Sequence, residues 1–202
     1  MEAAKSKACL EKIQLKYAAQ GYGVSFGGGF GADEKNVTMN SFQLSQGGLT
    51  LGQKDYYVNN DEATVAIREA FKKYIADMFK LYGFSAGQAE EKAQAVFQHE
   101  TMLALISKSA TELRNPQANY NKMTLKEFQS SYPNLHLEEM CNAEGIKSEF
   151  IKDMIVGQPA FMEGLEKITA AESAATLKAL MEWDVITSSA AYLTDEIHEC
   201  NF

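Results

Sequence analysis

Residues 61–106 read DEATVAIREAFKKYIADMFKLYGFSAGQAEEKAQAVFQHETMLALI, and this stretch decides the fold. Asp61 precedes a run in which Val65, Ile67, Phe71, Tyr74, Ile75, Met78, Phe79 and Leu81 recur at helical spacing, and Gly83 closes it. Apolar residues three and four apart share one face of a helix, so the run predicts a helix over 61–82. Ser85 and Gln88 then have capping-box spacing, in which two side chains satisfy each other's backbone N–H groups. They open a second helix carrying Ala89, Ala93, Val96, Phe97, Met102, Leu103, Leu105 and Ile106. It is expected over 85–113, because Asn115-Pro116 forces a stop.

Toward the N-terminus, residues 3–20 show an approximate helical stripe through Ala8, Leu10, Ile13, Leu15, Tyr17 and Ala18, stopped by Gly21 and Gly23. From Val24 to Gln46 the period changes to two. Val24, Phe26 and Phe30 share a face of one extended run, and Asn40, Phe42 and Leu44 a face of the next. With Asp33-Glu34-Lys35-Asn36 as the turn, this predicts a β-hairpin over 24–46. Toward the C-terminus, Thr124 with Glu127 repeats the capping box and opens a short helix over 124–131. A compact region with Leu135 to Ala143 and Ile151 to Val156 follows, then helices over 160–168 and 173–200. The expected class is mainly α: a bundle-like single unit over 1–202 with one small β-hairpin near the N-terminus.

Composition narrows the function. Hydrophobic residues make up 46% of the 202, enough for a core and against disorder. The formal net charge of −8, with no basic stripe, argues against nucleic acid, because a duplex binder needs a positive footprint. No apolar run reaches the roughly 18 residues of a membrane span. The start, MEAAKSKACLEKIQ, lacks the apolar centre of a signal peptide. Cys9, Cys141 and Cys200 are odd in number and far apart, as separate free thiols are.

No motif carries chemistry. Gly27-Gly28-Gly29-Phe30-Gly31-Ala32 fits a loose G-x-G-x-x-A pattern, but a dinucleotide site needs those glycines to open a helix. Turn residues follow instead, so the glycines belong in a twisted hairpin or bulge. His99-Glu100 would begin an H-E-x-x-H zinc motif, whose imidazoles sit one helical turn apart; position 103 is Leu. His136 is expected in a loop or cap, and His198 near a helix C-terminus. Glu90-Glu91 and Glu138-Glu139 read as solvated helix faces. No catalytic residue and no metal ligand is expected in this chain.

Four stretches carry a resemblance. Residues 45–57 (SQGGLTLGQKDYY), 112–125 (ELRNPQANYNKMTL), 154–161 (MIVGQPAF) and 177–202, with Trp183 and Tyr192-Leu193, resemble signatures of the neprilysin-type zinc metalloendopeptidase family. Order and spacing agree from about Leu10 onward; Gly52-Gln53 departs where the family has proline. The resemblance implies a large enzyme that hydrolyses short peptides at a zinc site in its C-terminal half, built from H-E-x-x-H and a downstream E-x-x-x-D. No H-E-x-x-H occurs here. The chain is therefore expected to be a non-catalytic segment of the N-terminal half, walling the substrate chamber, with no cofactor of its own and zinc in the parent. Its implied partners are short peptides and the remaining catalytic half of the same polypeptide, with no nucleic acid and no membrane segment. Compartment is unknown, with a lean to an exported or periplasmic parent. A competing reading is a stand-alone helical module that binds a peptide or protein without enzymatic activity.

Within the matching stretches, Asp55, Tyr56, Arg114, Tyr120, Asn121 and Lys122 are the candidate site residues, either lining the chamber or holding the architecture. Leu49 and Leu51 would anchor the hairpin to the helices, and Asp55 would cap the turn into Tyr56-Tyr57. Arg114 could reach a carboxylate or helix carbonyls, and Tyr120 to Lys122 would form a fixed polar loop before the capping box. Anchors and caps need no ligand, which favours architecture; chamber lining by Arg114 or Lys122 is the sharper alternative. A portion of a larger fold should also leave bare an apolar patch beyond roughly a few hundred Å².

Overall fold

The computed structural model describes residues 6–18 and 25–201. In chain order these form α1 (Lys7–Ala18), β1 (Phe26–Asp33), β2 (Asn36–Gln46), α2 (Asp55–Val58), α3 (Glu62–Leu81) and α4 (Ala86–Ile106). Then come β3 (Lys122–Thr124), α5 (Leu125–Ser131), α6 (Leu137–Ala143), β4 (Asp153–Val156), α7 (Pro159–Ala171), α8 (Ala174–Ser189) and α9 (Asp195–Asn201). The architecture is mainly α. The expectations for residues 3–5 and 19–20, for Gly21 and Gly23, and for Val24 and Phe202 lie outside the described residues.

Helix α3 starts where Asp61 accepts from the Thr64 backbone N–H at 3.0 Å and from its hydroxyl at 2.7 Å. Gly83, in the left-handed region at φ 106°, turns the chain, and the Ser85/Gln88 capping box starts α4. Phe71, Ile75, Met78 and Phe79 of α3 meet Ala89, Ala93 and Val96 of α4, with Trp183 and Ile186 of α8 closing this core. A second core lies under the sheet, where Phe42, Leu44, Met154 and Val156 pack with Leu103, Phe128, Phe161 and Leu165. Leu49 touches both cores and Leu51 the helical one, so the 45–57 stretch anchors the strands to the helices.

The hairpin is not alone, which corrects the sequence reading. The sheet has four strands in the order β1-β2-β4-β3. Strand β2 pairs parallel with β4 through Phe42↔Met154 and Leu44↔Val156, and β3 pairs antiparallel with β4. At three and four residues, β3 and β4 are too short to show a period of two, and Met154, Ile155 and Val156 are all buried rather than alternating.

Two helices also end earlier than their patterns suggested. The helix expected over 85–113 stops at Ile106, because Ser107 turns extended and donates its hydroxyl to the Leu103 carbonyl at 2.7 Å. Lys108 N–H then leaves the helix for the side chain of Gln46 at 2.8 Å. The helix expected over 173–200 is interrupted: Ala190–Tyr192 tighten into a 3₁₀ turn, Leu193 is extended, and α9 restarts with Asp195 and Glu196 in its first turn. Among the described residues no helix is long and apolar enough to cross a membrane. Exposed apolar side chains include Phe30, Val37 and Met39 on the hairpin and Leu105, Phe150 and Tyr192 elsewhere.

Candidate functional site

Three of the four signature stretches meet at one polar hub. Gln158, buried just before α7, accepts the Gln46 backbone N–H at 2.8 Å and donates to Asn119 Oδ1 at 3.1 Å. Gln46 in turn donates to the Lys108 carbonyl at 2.9 Å, and Asn119 donates to the Leu113 carbonyl at 2.7 Å. Asn121 completes the join: its amide donates to the carbonyls of Val156 at 3.0 Å and Ala118 at 3.1 Å, while its own carbonyl accepts Val156 N–H at 2.8 Å. A buried backbone donor or acceptor must find a partner, and these side-chain amides supply it where strand pairing runs out.

At the far end of the sheet, Tyr120 and Lys122 converge on Asp33, the last residue of β1. Tyr120 donates its hydroxyl to Oδ1 at 2.8 Å, Lys122 Nζ lies 3.2 Å from Oδ2, and Lys35 N–H donates at 2.9 Å. The Tyr120 hydroxyl, then the Lys35 N–H and the Lys122 charge, outweigh burial and hold the Asp33 carboxyl at about 2. Lys35 also sits over the Tyr120 ring, 4.1 Å from its centroid. Sequence alone had placed Tyr120 and Lys122 in a fixed loop without their acidic partner, because Asp33 reads as an ordinary turn residue.

The 45–57 stretch is pinned to α4 by a second buried carboxylate. Glu100 accepts from Thr50 N–H at 3.0 Å, from the Thr50 hydroxyl at 2.7 Å and from the Tyr57 hydroxyl, which itself accepts Leu51 N–H at 3.0 Å. Burial pushes the Glu100 carboxyl up despite those bonds, and burial with the adjacent carboxylate pushes the Tyr57 phenol up as well. Lys54 adds a bond to the Ser107 carbonyl at 2.7 Å.

The remaining candidates are not gathered here. Asp55 does not cap: Lys54 holds the N-cap of α2 without a side-chain bond, and Asp55 contributes only its carbonyl, accepting Asn59 N–H at 3.0 Å. Tyr56 and Arg114 are exposed, and neither side chain has a hydrogen bond or ion pair among the described residues. The reach expected of Arg114, to a carboxylate or helix carbonyls, is not realised among the described residues.

A zinc site can be tested on His99 and Glu100. Both lie buried on α4, but His99 Nδ1 is in contact with the Glu172 carboxyl and its Nε2 faces the Ser25 hydroxyl at 3.4 Å. Both Glu100 oxygens are taken by Thr50 and Tyr57, and Leu103 is in the core. These residues do not fit the metal. No other group of three His, Cys, Asp or Glu among the described residues could hold one. His136 sits at the start of α6 with φ 48° and His198 in the last turn of α9.

The chain has relatives. A sequence model of peptidase family M13 matches residues 2–202. Neprilysin-3 of Drosophila melanogaster is 24% identical over 191 residues, which cover 90% of this chain and 24% of that protein. Endothelin-converting enzyme 1 of Homo sapiens is 24% identical over 173 residues, 84% of this chain and 22% of that one. The structure of zinc metalloprotease Zmp1 of Mycobacterium tuberculosis in complex with an inhibitor matches with a TM-score of 0.90 at 23% identity, covering 100% of this chain and 30% of that one, a likeness of fold. The chain spans about a quarter of the length of the curated relatives it matches.

Proposed function

The chain belongs to peptidase family M13, and from that premise we propose that it is a non-catalytic portion of a zinc-dependent metalloendopeptidase. As a single helical unit it would wall the chamber in which short peptides are hydrolysed, with zinc and its ligands supplied by the catalytic part of the same polypeptide. One observation carries this reading: most of the singled-out polar side chains in three of the signature stretches are spent on holding the structure together. Gln46, Asn119, Asn121 and Gln158 bind backbone, and Tyr120 and Lys122 bind Asp33. Groups consumed in this way support a rigid wall and are withheld from peptide-bond chemistry.

The test uses the purified chain and a quenched fluorescent peptide of about ten residues, with and without a chelator. The expected result is no cleavage and no stoichiometric zinc. Chelator-sensitive cleavage would overturn the proposal, and saturable peptide binding without cleavage would favour the stand-alone module. Mixed with a polypeptide carrying the family's H-E-x-x-H helix, the chain should co-elute and restrict cleavage to short peptides. Equal cleavage of long unfolded proteins in its presence removes the chamber role.

A further inference from the structure

The geometry points to a binding site that does not rest on the metallopeptidase reading: the cavity lined by α1, α4 and α8 takes a primary ammonium group on a short apolar stem, carried by a free alkylamine or by a lysine side chain. The cavity measures about 340 Å³, near the lower end of small-molecule sites.

Two buried acceptors there are unmet. His99 Nδ1 and Glu172 Oε1 touch, but neither makes a hydrogen bond among the described residues. Their side chains are only 6% and 7% exposed, and both residues line the cavity. His99 Nε2 faces the Ser25 hydroxyl at 3.4 Å. With the ring proton on that nitrogen, Nδ1 is left as an acceptor beside a carboxyl oxygen. Buried acceptors side by side call for a donor, since leaving them unpaired is costly. An ammonium offers three donors and no acceptor, which answers both atoms at once.

The charge of the lining favours the same group. Glu11 of α1 adds a carboxyl with no hydrogen bond or ion pair among the described residues, and Glu100 and Asp184 border the cavity as well. The basic groups of the wall are already engaged. Lys7 Nζ donates to the carbonyls of Thr169 at 2.6 Å and Ala170 at 3.0 Å near the end of α7, and His136 Nδ1 lies 3.9 Å from Glu139. An acidic excess of this kind attracts a cation and repels an anion. No three His, Cys, Asp or Glu among the described residues could hold a metal, so the cation is organic. Leu177, Leu180, Met181 and Trp183 of α8 supply the apolar wall for its stem.

Trp183 is the chain's only tryptophan, so intrinsic fluorescence reports on this cavity. The test titrates the purified chain with isopentylamine, with isopentanol and with isovalerate, which keep the stem and change the charge. Calorimetry follows each titration in case the indole is unmoved. Saturable binding of the amine is expected with a Kd below about 1 mM, and binding at least about tenfold weaker for the alcohol and the acid. Glu172→Gln keeps the shape and should weaken amine binding by about tenfold or more, and Glu11→Gln by less. An Nα-acetyl-lysine amide that binds more tightly than isopentylamine assigns the site to a lysine side chain; weaker binding assigns it to a free amine. Circular dichroism checks the fold of each variant, and if Glu172→Gln fails to fold, Glu11→Gln decides in its place. No saturable binding of the amine up to about 10 mM by either readout overturns the proposal. So does an alcohol bound as tightly as the amine, or native affinity in the deciding variant.

Discussion

Asp33 at the sheet end and Glu100 on α4 are both buried, at 2% and 4% exposure, yet their surroundings drive them in opposite directions. Asp33 has the Tyr120 hydroxyl, the Lys35 N–H and the Lys122 ammonium, and sits at about 2. Glu100 has two hydroxyls and an N–H, and its carboxyl is raised above the ordinary value. Hydrogen-bond number therefore does not separate them. What does is the weight of desolvation, which is the leading influence at Glu100 and is outweighed at Asp33 by the Tyr120 hydroxyl, with the Lys35 N–H and Lys122 behind it. The sheet end is tied by donors on an ionised carboxylate, the helical side by donors converging on a desolvated acceptor.

If that distinction is right, the two regions should fail differently. Glu100→Ala strands three donors, Thr50 N–H, the Thr50 hydroxyl and the Tyr57 hydroxyl, and releases the 45–57 stretch from α4. Each unsatisfied buried donor costs about 1–3 kcal/mol, and some regain water, so a loss of about 3 kcal/mol in urea unfolding is expected. A loss below about 1 kcal/mol would mean the loop is held by its leucines alone.

Next in size is Gln158→Ala at the hub. It removes the acceptor of Gln46 N–H and the donor to Asn119, for an expected loss of about 2 kcal/mol by the same measurement. Because the hub joins the sheet to α7, hydrogen exchange should quicken at Gln46 and Val156 while α3 keeps its protection. Uniform loss of protection would show that the two regions unfold as one.

The helical side was legible in the sequence because its information is local. The α3 stripe, the Ser85/Gln88 box and the Thr124/Glu127 box each decide a structure within a few residues, and all are present. The sheet was legible only as far as its hairpin. Strands β3 and β4 exist through partners across the chain, as in Met123↔Met154 and Phe42↔Met154, and no window of sequence contains both sides. The same holds for the candidate site. Tyr120, Asn121 and Lys122 stood out by resemblance, but Asp33, Glu100 and Gln158 acquire their roles from residues 39 to 112 positions away, and a lone Asp in a turn or Gln before a proline gives no local sign of them. Asp55 misled for the opposite reason: its position near a helix start suggests a cap, but Lys54 occupies the cap position.

A pH titration sharpens the comparison with a smaller effect. Glu100 binds its proton in the folded state before the unfolded chain does, so its contribution to stability is complete below the ordinary 4.5 and is lost as pH rises through the raised value. Asp33 runs the other way: its contribution is complete above 3.8 and is lost as pH falls through about 2. Carboxyl carbon shifts read by NMR should find Glu100 mostly protonated at pH 4.5, its ordinary value, and Asp33 mostly ionised at its own, 3.8. Tyr120→Phe should raise the Asp33 value toward 3.8, and an unmoved titration would remove the hydroxyl from the account.

The smallest effect is expected at one of the residues that the sequence singled out. Arg114 lies within a signature stretch and between the two regions in sequence, but its guanidinium has no bond to either among the described residues. Its neighbours are held by others: Glu112 closes a local box with Ser109, and Asn119 takes the Leu113 carbonyl. Arg114→Ala should therefore change the unfolding free energy by no more than about 0.5 kcal/mol, as surface substitutions do away from caps and networks. A larger loss in the isolated chain would place Arg114 in the architecture after all. A neutral result there, paired with a raised KM for short peptides in a full-length M13 peptidase carrying this segment, would instead support the proposed chamber role.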